Sequence, residues 1–182
     1  LRIRADEVQE AIETKRFEPY FQPQIDVATG GLAGFEVLAR WVTPSGAVIA
    51  PNDFMAVAEH IRVVGEIDRQ VFEKAIDLNT RLCGQGQKIP KLSFNVSAAR
   101  ILDPEIIRSA KSLQVCDCRI GFELLESILL EDESLMLDHH IDLLRESGIE
   151  IEVDDFGSGH ASVIGVMKVR PDALKIDGRI IM

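Results

Sequence analysis

The chain has 182 residues, 46% hydrophobic and 27% charged, a globular composition that excludes a disordered or collagen-like chain and fits one domain. Thirty Asp and Glu against 20 Lys and Arg leave a net charge of −10. That charge repels nucleic-acid backbones unless a bound metal or a local patch reverses the sign. No apolar run reaches the roughly 18 residues of a membrane span, and the polar start Leu1-Arg2-Ile3-Arg4-Ala5-Asp6 is not expected to act as a signal peptide.

In chain order, residues 5–16 predict a helix with Val8, Ala11 and Ile12 on one face. Residues 17–27 read as a strand, Thr29-Gly30-Gly31 as a turn and 32–42 as a second strand, so the two form a hairpin. A loop follows over 43–50, then a short helix after Pro51-Asn52-Asp53. A longer helix covers 66–83, with Ile67, Val71, Leu78 and Leu82 inward and Gly84 and Gly86 as terminators. Strands at 92–96, 119–125, 149–155 and 173–177 then alternate with helices. One helix opens at Asp103-Pro104-Glu105 (a cap, a Pro at the first position, an acid in the first turn). Another covers about 132–147, and a short one reaches Val169. The alternation implies a parallel sheet with crossovers, six strands in all, the first antiparallel to the second.

Several polar residues sit inside apolar strands or at their ends. They are Glu36 between Phe35 and Val37, Asn95 after Phe94, Glu123 after Phe122, Asp154-Asp155 closing a strand, and Lys175 between Leu174 and Ile176. Strands of a parallel sheet covered on both faces should be nearly all apolar, and a buried carboxylate without a partner is costly. Any one of these is ordinary as an outward residue, an ion pair or a turn residue, and adjacent Asp154 and Asp155 point to opposite faces of a regular strand. Their recurrence near successive C-terminal strand ends is not ordinary, because α/β folds build their sites there. Oxygen donors without His suit Mg²⁺ or Mn²⁺. Two such ions about 3.5–4 Å apart would activate a water and make an acidic cleft attractive to a phosphodiester.

The loop Asp155-Phe156-Gly157-Ser158-Gly159-His160 is by itself an ordinary tight turn. Its Asp-Phe-Gly triplet is also a protein-kinase magnesium motif, but the kinase Gly-rich loop and His-Arg-Asp loop are missing. Cys83, Cys116 and Cys118 are expected to be reduced thiols rather than a disulfide framework or a zinc site.

These residues resemble those of the EAL domain, the bacterial cyclic di-GMP phosphodiesterase module. The namesake motif reads Glu36-Val37-Leu38-Ala39-Arg40-Trp41, preceded by Tyr20-Phe21-Gln22-Pro23. Asn95-Val96-Ser97-Ala98, Phe122-Glu123-Leu124-Leu125-Glu126-Ser127, Asp154-Asp155-Phe156-Gly157-Ser158-Gly159 and Lys175-Ile176-Asp177 follow in the family's order across nearly the whole chain. The resemblance implies a TIM-type (β/α)8-like barrel with the first strand antiparallel, and hydrolysis of cyclic di-GMP to linear pGpG with Mg²⁺ or Mn²⁺. It implies that Glu36, Asn95, Glu123, Asp154 and Asp155 are metal ligands. Asp155 would assist deprotonation of the attacking water and Lys175 would orient that water. Gln22 and Arg40 would contact the nucleotide, Arg40 through phosphate. Glu126 would anchor the loop 156–162, which couples substrate, metal and homodimerisation.

Departures from the family pattern are Val37 for Ala, Leu125 for Thr, Ser158 for Thr and a shortened stretch between Asn95 and Glu123. The family's last two strands, which carry a metal-binding Glu and a nucleotide-contacting Gln, lie outside residues 1–182. The expected organisation is a connector helix, 1–16, from an upstream GGDEF or sensor-type domain, then an EAL domain over 17–182. These residues alone are expected to be inactive, and the parent protein is expected to supply the remainder. A cytoplasmic module is expected, with no nucleic-acid polymer and no membrane contact of its own, even where the parent is membrane-anchored. The alternatives are a non-catalytic cyclic di-GMP receptor that signals to a partner, favoured by Val37 and Leu125, and an unrelated metal-dependent barrel enzyme acting on small phosphates.

Overall fold

The computed structural model describes residues 3–112, 117–125, 135–157, 166 and 169–180. The chain divides into two units, Leu1–Gln87 and Lys88–Met182. In the first unit, helix α1 (Ala5–Glu13) buries Val8 and Ala11, and the Glu7 carboxylate accepts the Arg4 backbone N–H at 2.8 Å to cap its start. Strands β1 (Phe17–Ile25) and β2 (Leu32–Val42) form the expected antiparallel hairpin. Its turn is held by Asp26, whose Oδ1 accepts the backbone N–H groups of Ala28 (2.9 Å) and Thr29 (2.8 Å). Gly30 supplies the positive φ of 70° that the turn needs.

The region expected to be a plain loop, 43–50, contains a short strand β3 (Val48–Ile49) paired antiparallel with β2. Helices α2 (Pro51–His60) and α3 (Val64–Gly84) follow. One face of the hairpin is apolar: Phe17, Val37 and Trp41 are buried, and the Phe17 and Trp41 rings meet Phe54 of α2 at 5.2 and 6.3 Å between centroids. Lys74 of α3 donates to the carbonyls of Lys15 and Phe17 and pairs with Glu18 at 2.6 Å, which fastens α3 to β1. Cys83, expected to be reduced, is instead disulfide-bonded, whereas Cys118 is a free, half-buried thiol.

The second unit carries four parallel strands in the order β4 (Lys91–Asn95), β5 (Arg119–Leu125), β6 (Ile149–Phe156) and β7 (Ala173–Ile176). Between them lie α4 (Ala98–Ile101), which the sequence reading did not anticipate, α5 (Pro104–Ser112) and α6 (Leu135–Glu146). The Asp103 carboxylate caps α5 by accepting the Glu105 N–H at 2.9 Å, as the Asp-Pro-Glu signature predicts.

One sheet face is apolar. Leu92, Phe94, Ile120, Phe122, Leu124, Ile149, Ile151 and Val153 are all buried, and α6, with Leu137, Ile141 and Leu144 inward, covers β6. Full burial of each such side chain contributes about 1.5–3 kcal/mol. The other face carries the sheet's charged and polar side chains, interrupted by Gly121 and, at the end of β5, by Leu125. Lys91, Ser93 and Asn95 alternate with apolar residues along β4, Arg119, Gly121 and Glu123 along β5, and Glu150, Glu152 and Asp154 along β6.

A partly buried ion cluster occupies the N-terminal part of that polar face. The Lys91 side chain is 11% exposed, and its ammonium lies 2.5 Å from Glu150 Oε2 and 2.6 Å from Glu152 Oε1. Ser93 Oγ donates to the same Glu152 oxygen at 3.0 Å, and Arg119 pairs with Glu150 at 3.1 Å. Desolvation pulls the Lys91 ammonium toward neutrality, but the hydrogen bonds and charges of Glu150 and Glu152 outweigh it and raise its pKa above the ordinary value. The Glu152 carboxylate crosses β5 at Gly121, where an added Cβ would collide with Glu152 Oε1 and sit 3.1 Å from both Glu152 Cδ and Lys91 Cε.

Gly121→Ala should therefore destabilise the fold by about 1–3 kcal/mol, read as a lower urea midpoint. A raised folded-state pKa contributes stability that is complete below the ordinary lysine value of about 10.4 and is lost as pH rises through the folded value. Urea melts from pH 9 upward should show an alkaline loss of stability that shrinks in Lys91→Met.

Candidate active site

In the first unit, the antiparallel register sets Gln22 opposite Glu36 and Glu18 opposite Arg40. The strand period places Tyr20, Gln22, Glu36 and Arg40 on the face away from Phe17, Val37 and Trp41. Glu36 is half-buried and Gln22 exposed. The Arg40 guanidinium donates to the Ala39 carbonyl at 2.7 Å and lies 5.7 Å from the centroid of the Tyr20 ring, a cation–π contact that fixes its position.

In the second unit, Asn95, Glu123 and Glu152 are backbone register partners on neighbouring strands of the polar face, with the Glu152 carboxylate turned away to Ser93 and Lys91. Glu123 is 1% exposed, and its Oε1 lies 2.5 Å from the Lys175 ammonium. That ion pair reaches from β5 to β7, and it makes burial of the carboxylate tolerable.

The β6–β7 pairing is regular from Glu152 to Val153 and resumes at Phe156 opposite Ile176. Asp154 and Asp155 therefore stand together against Lys175, as a bulge. Asp155 has φ of 56°, rare for a residue with a side chain, and its N–H is accepted by the Asp154 carboxylate at 2.9 Å. The bulge removes the objection that adjacent Asp residues must point to opposite faces, and backbone strain of this kind gathers at functional sites.

The turn Gly178–Ile180 braces that corner. The Asp177 N–H donates to the Phe156 carbonyl at 3.2 Å, and Ile180 packs so closely on Gly157, φ 90°, that a Cβ there would collide with it. The Arg179 guanidinium hydrogen-bonds the Asp177 carboxylate and lowers its pKa.

Of the expected site residues, Asn95, Glu123, Asp154, Asp155 and Lys175 thus cluster at the C-terminal ends of β4 to β7. Gln22, Glu36 and Arg40 share one face of the β1–β2 hairpin. Glu126 and residues 158–162 of its expected loop lie outside the described residues. Leu125, which departs from the family's Thr, is 47% exposed at the end of β5. Sequence reading missed Lys91, Ser93, Glu150 and Glu152. Their signal was present as strict polar–apolar alternation in Lys91-Leu92-Ser93-Phe94-Asn95 and Ile149-Glu150-Ile151-Glu152-Val153.

Oxygen donors on one polar face fit a hard divalent cation in kind. Among the described residues, no three His, Cys, Asp or Glu side chains yet converge as a cation cage, and Glu123 is held by the Lys175 ammonium.

In parallel α/β folds, ligand sites form at the C-terminal edge of the sheet, the edge where these acids and Lys175 stand. The family model described as EAL domain matches residues 5–182, and the chain is a member of that family. It is 30% identical over 174 residues to the oxygen sensor protein DosP of Escherichia coli, covering 93% of this chain and 22% of DosP. It is also 30% identical over 175 residues to the cyclic di-GMP phosphodiesterase RocR of Pseudomonas aeruginosa, covering 94% and 44%. The chain thus spans less than half the length of these two relatives.

Among solved structures, the Xanthomonas citri FimX EAL domain in complex with c-diGMP superposes with a TM-score of 0.81 at 22% identity, covering 96% of this chain and 69% of that one. The PaMucR phosphodiesterase, a c-di-GMP complex, gives 0.80 at 23%, covering 94% and 71%. The fold is accordingly the TIM-like barrel type of EAL domains.

Lys175→Met should lower stability by roughly 3 kcal/mol, because it leaves Glu123 buried without its ammonium. Adding Glu123→Leu should recover most of that loss in thermal and urea melts.

Proposed function

We infer that the protein carrying these residues hydrolyses cyclic di-GMP to linear pGpG. The observation that carries this reading is the row of Asn95 and buried Glu123, with Lys175 on Glu123 and the Asp154–Asp155 bulge beside it, in a chain that matches the EAL model over 5–182.

Glu36, Asn95, Glu123, Asp154 and Asp155 would hold two Mg²⁺ or Mn²⁺ ions. Such ions supply an acidified water and charge neutralisation at a phosphodiester. Asp155 would take up the proton of the attacking water; its position in the β6 bulge beside Asp154 supports that role. Lys175, paired with Glu123 here, would stabilise charge at the phosphate or orient the water. Arg40, steadied by Tyr20, binds phosphate as a planar fork of donors, and Gln22 contacts the nucleotide from the neighbouring strand. Glu126 anchors the loop 156–162, which links the site to homodimerisation. The module works in the cytoplasm behind an upstream GGDEF or sensor-type domain joined through residues 1–16. Its partner is the cyclic dinucleotide rather than a nucleic-acid polymer. Among the described residues, no helix is long and apolar enough to cross a membrane.

The second reading is a receptor that binds cyclic di-GMP without cleaving it. Exposed Leu125 on the polar face, where the family carries a hydroxyl, favours it.

The protein carrying this domain, supplied with Mn²⁺ or Mg²⁺, should convert cyclic di-GMP to pGpG by chromatographic assay. Glu36→Ala should reduce turnover at least about a thousandfold, as loss of a metal ligand does. Tight nucleotide binding by calorimetry without turnover under either ion would establish the receptor reading instead.

A further inference from the structure

Glu152 is an acid in the position of a ligand that is not used as one. It is the register partner of Glu123 on the adjacent strand, stands on the same polar face and is 2% exposed. Its carboxylate does not join the row of Asn95 and Glu123. It runs instead toward the N-terminal ends of the strands, across the space left by Gly121, to Ser93 Oγ at 3.0 Å and the Lys91 ammonium at 2.6 Å. Three features of this chain make that path possible: no side chain at 121, a hydroxyl at 93 and a cation at 91.

We propose that Lys91 is a positioning residue for the cation site, holding Glu152 out of the Asn95–Glu123 row and so limiting which carboxylates a divalent ion can reach. The inference rests on the metal-binding part of the proposed function.

Without the Lys91 ammonium, Glu150 keeps Arg119 as a partner, but Glu152 is left with the Ser93 hydroxyl. A buried carboxylate in that state seeks the nearest positive charge. One candidate is Lys175, whose departure would remove the ammonium from Glu123. The other is a divalent ion at Glu123, to which Glu152 would add an oxygen donor. Both routes make the row bind a divalent ion more tightly.

The test is Mn²⁺ binding, without nucleotide, by calorimetry and by the electron paramagnetic resonance of the free ion, in the whole protein carrying this domain. Lys91→Met should bind Mn²⁺ at least about threefold more tightly than wild type, and Lys91→Met/Glu152→Gln should return to within about twofold of it. Arg119→Met removes a positive charge from the same cluster without touching Glu152, and should stay within about twofold of wild type. Circular dichroism checks folding, and Lys91→Gln replaces Lys91→Met if the latter does not fold.

Unchanged or weaker binding in the Lys91 variant overturns the proposal. Tightening that persists in the double variant, or that Arg119→Met reproduces, also overturns it, because the effect would then be one of overall charge. A wild type that binds no Mn²⁺ overturns the metal site and the proposal together, which separates the two failures.

Discussion

A carboxylate buried in a sheet has to be given a cation, and the second unit meets that requirement twice. Glu123 on β5 takes Lys175 from β7, and Glu152 on β6 takes Lys91 from β4. Each pair steps over one strand, so the two together stitch four parallel strands across their polar face. Breaking either pair would strand a buried charge at a cost of several kcal/mol, although replacing a whole pair by apolar groups need cost little. The charge is therefore poorly explained as a device for stability and well explained as a device for holding acids ready.

The division of the sheet into two faces follows from the same requirement. Helix α6 covers the apolar face at β6, with α4 and α5 packed against α6, and Phe94, Phe122 and Ile151 are buried there. The polar face holds its ions at two levels. Toward the N-terminal strand ends, Lys91, Arg119, Glu150 and Glu152 neutralise one another. Toward the C-terminal ends, Asn95, Glu123, Asp154, Asp155 and Lys175 carry more acid than base. A face with that excess would attract a cation, and a cation would in turn make it attractive to a phosphodiester. Under the proposed function, that would reconcile a net charge of −10 with an anionic substrate.

Much of the architecture was legible from pattern. The hairpin, the strand–helix alternation and the capped start of α5 rest on local chemistry, which the chain carries residue by residue. The expectation that parallel strands would be nearly all apolar was misleading. Alternation in β4 and β6 is the mark of a strand with one polar face, and reading it as such would have brought Lys91, Glu150 and Glu152 into view. The short pairing of β3 and the single-turn helix α4 were missed because segments of two and four residues leave too little periodicity to detect. The disulfide at Cys83 could not be foreseen because sequence spacing says nothing of which sulfurs approach.

The sequence by itself determined the element order, the apolar core residues, the family and which acids stand at the strand ends, because these depend on residue type and period. Tertiary structure decided how those acids are held. Register alone sets Glu152 beside Glu123, and a bulge alone lets Asp154 and Asp155 stand together against Lys175. The absence of a side chain at Gly121 becomes meaningful once a carboxylate from the next strand crosses that point. Such pairings join residues about 20 to 60 positions apart, and their energy depends on distance and burial, which are properties of the folded chain.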